Sequence, residues 1–360
     1  MNSFGYFLQM IQLFRGCKSE DMPPHIYAAA QSAYRSMLAS RTDQSLIFVG
    51  RSGSGKTHNF RNSLHYLCLA AGCPTKILTG ILSTFSIVFG SPGAILFDIF
   101  YDPFRFIAVE KLNSIFLLLE AFGNCRTSLN TNATRFTNIF SLDFDQSGQI
   151  ASGSVQVLMP ERERVTRRPE GEPSFHVFYE LVAGATGELR RHLQLDNTST
   201  EPCAFMTPLQ TTEDRQKAAV SYARLVAALE SLGIAESESR CIWSILAAIY
   251  HLGVAGAMRG PTNKVVFARP AAAQRAAALL GCGSLEELAQ LAFHAAPVQG
   301  MMMNGRSSFR TASPVHGVGD TKSALADKHL DPYEALEGFS QGLYVEAFSA
   351  LVALINKYVL

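Results

Sequence analysis

Ser45-Leu46-Ile47-Phe48-Val49-Gly50-Arg51-Ser52-Gly53-Ser54-Gly55-Lys56-Thr57 is the stretch that decides the fold. Its first five residues form a short apolar, partly β-branched run, the pattern of a buried strand. Gly50 to Thr57 then fits G-x-x-x-x-G-K-[ST], a P-loop. With glycine near 7% of residues, a match arises by chance in roughly 1 of 80 chains this long. The context sharpens it, because after Thr57 the apolar residues Phe60, Leu64, Leu67 and Cys68 recur at helical spacing. Strand, glycine-rich turn and helix is the arrangement that turns successive backbone N–H groups inward around phosphate oxygens. The helix N-terminus adds its partial positive charge. Lys56 would bridge the β- and γ-phosphates, and the Thr57 hydroxyl would ligate Mg²⁺. Gly50, Arg51, Ser52, Gly53, Ser54, Gly55, Lys56 and Thr57 are therefore expected to line a nucleoside-phosphate site.

The rest of the chain sets bounds on that reading. Its 360 residues suffice for two or three domains. A hydrophobic content of 48% excludes an intrinsically disordered chain. The net charge of +1 creates no global field toward nucleic acid, so no nucleic-acid partner is expected. Cys17, Cys68, Cys73, Cys125, Cys203, Cys241 and Cys282 contain no C-x-x-C pair, and no H-E-x-x-H occurs. Reduced thiols in a cytosolic protein are expected, with neither a zinc cage nor a disulfide framework. The apolar first fifteen residues lack a charged leading segment and a small-residue cleavage site, and do not read as a signal peptide. Residues 77–97 carry no charge and are long enough to span a membrane. Ser91-Pro92-Gly93 breaks the run and Asp98, Asp102 and Arg105 follow, so it reads as a buried segment or insert.

Elsewhere the periodicity is mostly helical. Pro23-Pro24-His25 opens a helix through IYAAAQSAYRSMLAS. Phe136, Phe140, Leu142 and Phe144 predict a half-buried strand, Asp145-Gln146-Ser147-Gly148 a turn, and Ile150 to Leu158 the return strand. The charge-dense stretch from Pro160 to Pro173 reads as solvated surface. Thr211-x-x-Asp214 caps a helix ending at Gly233, a second runs from about Ser237 to Gly253, and Ser284-x-x-Glu287 caps a third. Residues 298–331 read as a long loop. Tyr344, Phe348, Leu351, Val352 and Ile355 line one face of a terminal helix. The whole is an α/β core with a helical extension.

A second polar stretch, Asn130-Thr131-Asn132-Ala133-Thr134-Arg135-Phe136, precedes the strand. Downstream of a P-loop, its amide, hydroxyl and guanidinium can reach phosphate and metal. With it, the sequence resembles the myosin motor domain. MPPHIYAAAQSAYRSM is similar to the family's helix before the P-loop, and GRSGSGKT to its GESGAGKT. LLEAFGNCRT and NTNATRF resemble the segment leading into switch 1, NxNSSRFGK. PEGEPSFHVFYELVAGA, IWSILAAIYHLG and GLYVEAFSALVALINKYVL are similar to the upper actin-binding subdomain and the helix after it. The resemblance covers about residues 10–73 and 109–360. The arginine of GRSGSGKT and the altered switch 1 point to the class-eighteen members, and to the B form among them.

The resemblance implies an α/β fold: a P-loop NTPase core of the myosin head type, with an incomplete sheet, over residues 1–145. A non-family insert would occupy about 74–108, and a mainly helical upper subdomain 146–360, stopping before switch 2. It implies ATP or ADP with Mg²⁺ as ligands, Asn130 and Arg135 at the phosphates, and Thr134 beside Thr57 on the metal. It also implies actin filaments as partner, a cytoplasmic, cytoskeleton-associated location, and a dimeric full-length relative joined through a tail. Departures bear on activity. Ala133 stands where the family has a serine near the γ-phosphate, so no residue is named catalytic and the ATPase is expected to be weak or absent. The glutamate that normally pairs with the Arg135 position belongs to D-x-x-G-F-E, which does not occur. Two other readings stand beside this one: a self-contained P-loop phosphotransferase with an unrelated helical lid, and a membrane-anchored nucleotide-binding protein using residues 77–97.

Overall fold

The computed structural model describes residues 11, 13–14, 24–71, 103–196, 201–261, 263–293 and 331–359, with the side chains of 103–108 and 359 excepted. The segments expected as an insert (74–108) and as a long loop (298–331) thus fall largely outside the described residues.

Helix α1 spans Ile26–Ser40; His25 caps it, its Nδ1 accepting the Tyr27 N–H at 3.2 Å. Helix α2 spans Lys56–Ala71. The two pack through Tyr27 stacked on Tyr66, ring centroids 5.3 Å apart, over Ala30, Leu69 and Ala70. The opposite side of α2 presents Phe60, Leu64 and Cys68, which meet Leu112 and Phe116 of helix α3 (Pro103–Gly123). Helix α2 is therefore buried on two sides, one more than the single stripe read from its spacing, and Leu67 goes with the α1 side.

Strands β1 (Asn124–Cys125) and β2 (Ala133–Thr134) pair antiparallel, Asn124 with Thr134 and Cys125 with Ala133. Strands β3 (Thr137–Phe144) and β4 (Ile150–Leu158) form a hairpin with a register shift at Asp143/Phe144. Side chains of β3 alternate between half-buried and exposed, as the period-two pattern requires. Its turn docks on α1, where the Tyr34 hydroxyl donates to the Gly148 carbonyl at 2.7 Å. Short strands β5 (Ala257–Arg259) and β6 (Val265–Phe267) make a third antiparallel pair.

The strand expected at Ser45–Val49 is not formed. Among the described residues the strands form three separate antiparallel pairs, and none of them lies beside this segment to give it a ladder. Ile47 is 82% and Val49 85% exposed; Phe48 alone turns inward, its ring 5.7 Å from that of Phe60. A short apolar run becomes a buried strand only where partners flank it.

The main core is helical. It joins α3 to helices α4 (His176–Gly184), α6 (Thr212–Leu232), α7 (Glu236–Ala255), α8 (Pro270–Leu280), α9 (Leu285–Phe293) and α10 (Pro332–Val359); α5 (Gly187–His192) flanks it. The expected caps are present: Thr211 Oγ1 accepts the Asp214 N–H at 3.0 Å, and Ser284 Oγ accepts that of Glu287 at 3.1 Å. Helix α10 buries Tyr344, Phe348, Leu351 and Ile355. Tyr344 stacks on Phe175 at 4.9 Å, and its hydroxyl donates to the Phe122 carbonyl. Each such side chain contributes about 1.5–3 kcal/mol by leaving water. Asn356 binds the Val155 N–H and C=O, both at 2.9 Å, and so stands in for a neighbouring strand along β4. By length and composition the stretch Pro332–Tyr358 could cross a membrane. Here its apolar stripe is spent on the core.

Candidate functional site

The site begins with the turn that feeds α2. Gly53 (φ 80°) and Gly55 (φ 85°) occupy the left-handed region, which a side chain would strain. Ser54 N donates to the Arg51 carbonyl at 3.2 Å, and the first helical bond runs from Asn59 N to the Gly55 carbonyl at 2.9 Å. Lys56, the first residue of α2, folds back: its Nζ donates to the Gly50 carbonyl at 2.6 Å and the Arg51 carbonyl at 2.7 Å. The ammonium thus closes the loop on itself.

The second stretch arrives from the end of α3. Thr127 N donates to the Asn130 carbonyl at 2.8 Å, and Asn130 Oδ1 accepts the Asn132 N–H at 3.0 Å, giving a tight polar turn. The turn stands against the P-loop. Asn130 Nδ2 lies 3.5 Å from Ser52 Oγ, and Thr134 Oγ1 lies 3.3 Å from Thr57 Oγ1 although 77 residues separate them. Ala133, beside Thr134, is 1% exposed and pairs with Cys125 in the β1–β2 ladder.

Under this turn lies a polar cluster that the sequence reading did not assign. Asn132 Nδ2 donates to Glu120 Oε1 at 2.8 Å, while its Oδ1 takes Asn124 Nδ2 at 2.9 Å and faces His176 Nε2 at 3.3 Å. Arg61 of α2 binds the other Glu120 oxygen at 2.5 Å, its guanidinium 5.1 Å from the centre of the Phe116 ring. Burial lowers the His176 pKa, and since Nε2 faces an amide oxygen, that nitrogen is the donor toward Asn132. Burial, with the Glu120 charge second, pushes the Glu180 carboxyl up to about 7, and its Oε2 has no hydrogen-bond partner. Neither carboxylate belongs to a motif, so spacing alone gave no sign of them.

The charged stretch after Pro160 is solvated at Arg162, Glu163, Arg167 and Glu170, as expected, but not at Arg164. A 3-10 turn, Arg162–Val165, drives Arg164 inward to 2% exposure. Its guanidinium grips both Glu161 oxygens, Nε at 3.0 Å and Nη2 at 3.2 Å, and Nη1 reaches Glu172 Oε2 at 2.9 Å. Glu161 also takes Arg135, and the Glu161 N–H donates to the Arg135 carbonyl at 2.9 Å. Glu172 Oε1 accepts the Ser128 N–H at 3.1 Å. Burial alone would raise the Glu161 carboxyl, but its hydrogen bonds from Arg135 and Arg164 outweigh that and hold it below the usual range. A buried arginine without such partners would be untenable, which is why the stretch is dense in both signs. Of the predicted site residues, Gly50 to Thr57, Asn130 and Thr134 converge. Arg135 sits behind them, engaged by Glu161.

Comparison with known proteins matches residues 4–359 to the myosin head (motor domain) family. Mouse unconventional myosin-XVIIIa is 41% identical over 355 residues, covering 98% of this chain and 16% of that protein. Human unconventional myosin-XVIIIb is 35% identical over 342 residues, covering 94% of this chain and 12% of that protein. Myosin IB heavy chain of Dictyostelium discoideum is 27% identical over 350 residues. The class is the one expected, and identity is higher to its A form than to its B form. The chain spans less than a fifth of the length of either class-eighteen relative.

Proposed function

The chain belongs to the myosin head (motor domain) family, whose fold is of the P-loop NTPase type, and on that premise we propose that it binds ATP or ADP with Mg²⁺ and associates with actin filaments. The observation that carries the nucleotide half is the 3.3 Å approach of the Thr57 and Thr134 hydroxyls, which belong to separate motifs. Mg²⁺ holds oxygens at 2.0–2.1 Å in an octahedron, so two adjacent ligands stand about 2.9 Å apart. The two threonines fit that spacing with a shift of a few tenths of an ångström. When bound, Mg²⁺ neutralises phosphate charge.

The remaining work falls to this chain's own groups. The N–H groups of Gly53 to Thr57 would face the phosphates at the start of α2. Lys56 Nζ would leave the Gly50 and Arg51 carbonyls for phosphate oxygens, exchanging neutral acceptors for charged ones. Asn130 Nδ2, now beside Ser52, would be an amide donor to the phosphates from the opposite side. A fluorescent ADP analogue titrated with Mg²⁺ and with EDTA tests this reading: saturable binding weakened by EDTA is expected, and no binding would end it. The phosphotransferase alternative needs an unrelated helical lid, whereas residues 146–359 lie within the family match. The membrane-anchored alternative rests on residues 77–97, which are outside the described residues but also inside that match.

For actin, the candidate surface is the stretch 298–331 with Arg306, Arg310, Lys322 and Lys328, diluted by Asp320, Asp327 and Asp331. Only Asp331 of these is among the described residues. We expect weak cosedimentation with filaments at low salt, lost at physiological ionic strength where exposed charges are screened over ~8 Å. It should not respond to MgATP. Coupling needs an element with two arrangements that both ligands bias, and Arg135 is already paired with Glu161 of the charged stretch behind the site. Tight binding released by ATP would overturn this. In this reading the protein acts in the cytoplasm on the cytoskeleton, and a longer form dimerises through its tail.

A further inference from the structure

We propose that Glu172 is a positioning residue: through Arg164 and Glu161 it clamps the turn 127–135 from behind and so sets where Asn130 stands against the P-loop. The inference rests on the nucleotide reading for its functional consequence, and on geometry alone for the clamp.

The charges form one continuous chain. Ser128 N–H donates to one Glu172 oxygen, Arg164 Nη1 to the other, Arg164 Nε and Nη2 to both Glu161 oxygens, and Arg135 to Glu161. Ser128 and Arg135 are the two ends of the turn. Two guanidinium groups and two carboxylates balance, so the network is neutral as a unit, and Arg164 at its centre is nearly solvent-free. In front, by contrast, the turn touches the P-loop only at 3.5 Å and 3.3 Å, too loosely to fix its own position. The middle is pinned by Asn132 on Glu120, Asn124 and His176. The C-terminal end has both the Arg135 ion pair and the Glu161 N–H bond. At the N-terminal end, among the described residues, Glu172 accepts the Ser128 N–H, two residues before Asn130. The first cause holding the Glu172 carboxyl below its ordinary range is that Ser128 N–H, in keeping with a bond made to the charged form.

Hydrogen exchange on the whole chain without nucleotide tests the clamp. In Glu172→Ala the amides of Ser128 to Asn130 should exchange about tenfold faster, the size of one charge-assisted hydrogen bond, while those of Thr212–Leu232 stay unchanged. Leu288→Ala, a cavity in the distant core, is the control: it should loosen the core and spare the turn. Affinity for a fluorescent ADP analogue should fall about tenfold in Glu172→Ala. Glu172→Gln keeps one acceptor oxygen for the Ser128 N–H but turns its amide N–H₂ toward Arg164, so it should recover only part of the loss, to about threefold below wild type. It also serves as the variant compared with wild type if the alanine does not fold. Unchanged exchange at Ser128 to Asn130, or a glutamine no better than alanine, overturns the proposal. A wild-type chain that binds no nucleotide removes the functional reading, and the exchange result still decides the clamp.

Discussion

Replacing Lys56 by alanine is expected to lower affinity for a fluorescent ADP or ATP analogue by about 30–100-fold, the range of one or two hydrogen bonds to a charged group. The direction follows from what the ammonium does in each state. Bound, it supplies the loop's point charge to the phosphates. Free, it is spent on the Gly50 and Arg51 carbonyls, so part of its gain is offset by bonds it must give up, which is why the loss is not larger. The fold should be little affected, since the Lys56 ammonium bonds only loop carbonyls among the described residues and alanine suits a first helical turn. Circular dichroism and thermal unfolding of both proteins would check that point. Equal affinity in wild type and variant would mean that this loop is not the phosphate site.

What could be read from the sequence was local. The P-loop turn, the caps at Thr211 and Ser284, the β3–β4 hairpin and the buried stripe of α10 each depend on residues within a few positions of one another, and spacing reports them faithfully. What the sequence did not disclose was partnership. Ser45–Val49 has the composition of a central strand, yet its pairing depends on segments elsewhere, and among the described residues none lies beside it. Pro160 to Pro173 has the composition of surface, yet one 3-10 turn carries Arg164 into the interior between two glutamates. A count of charges cannot tell a solvated run from a neutralised buried one; only the approach of Arg135 and Ser128 from another part of the chain does so. The same holds for Glu120 and His176, which enter the site because Asn132 reaches them, not because of any motif.

Fast hydrolysis is not expected at this site. With MgATP, steady-state phosphate release is expected to be about 10²–10³-fold below that of conventional myosin heads, the cost of one missing positioned polar group. Ala133 is the position where the resemblance places a serine at the γ-phosphate, and its buried methyl group offers no hydroxyl to orient water. Arg135, which the resemblance places at the phosphates, is paired with Glu161 rather than left to meet an element that closes over the nucleotide. Two defects on one step do not add simply, since each removes part of a single arrangement. Ala133→Ser alone should therefore recover little activity, less than about tenfold, because it restores the hydroxyl and leaves Arg135 where it is. The assay is phosphate release by wild type, Ala133→Ser and Lys56→Ala, with and without filaments. A wild-type rate comparable to conventional heads, and abolished by Lys56→Ala, would show that this site turns over ATP by a route that needs neither the serine nor a freed Arg135.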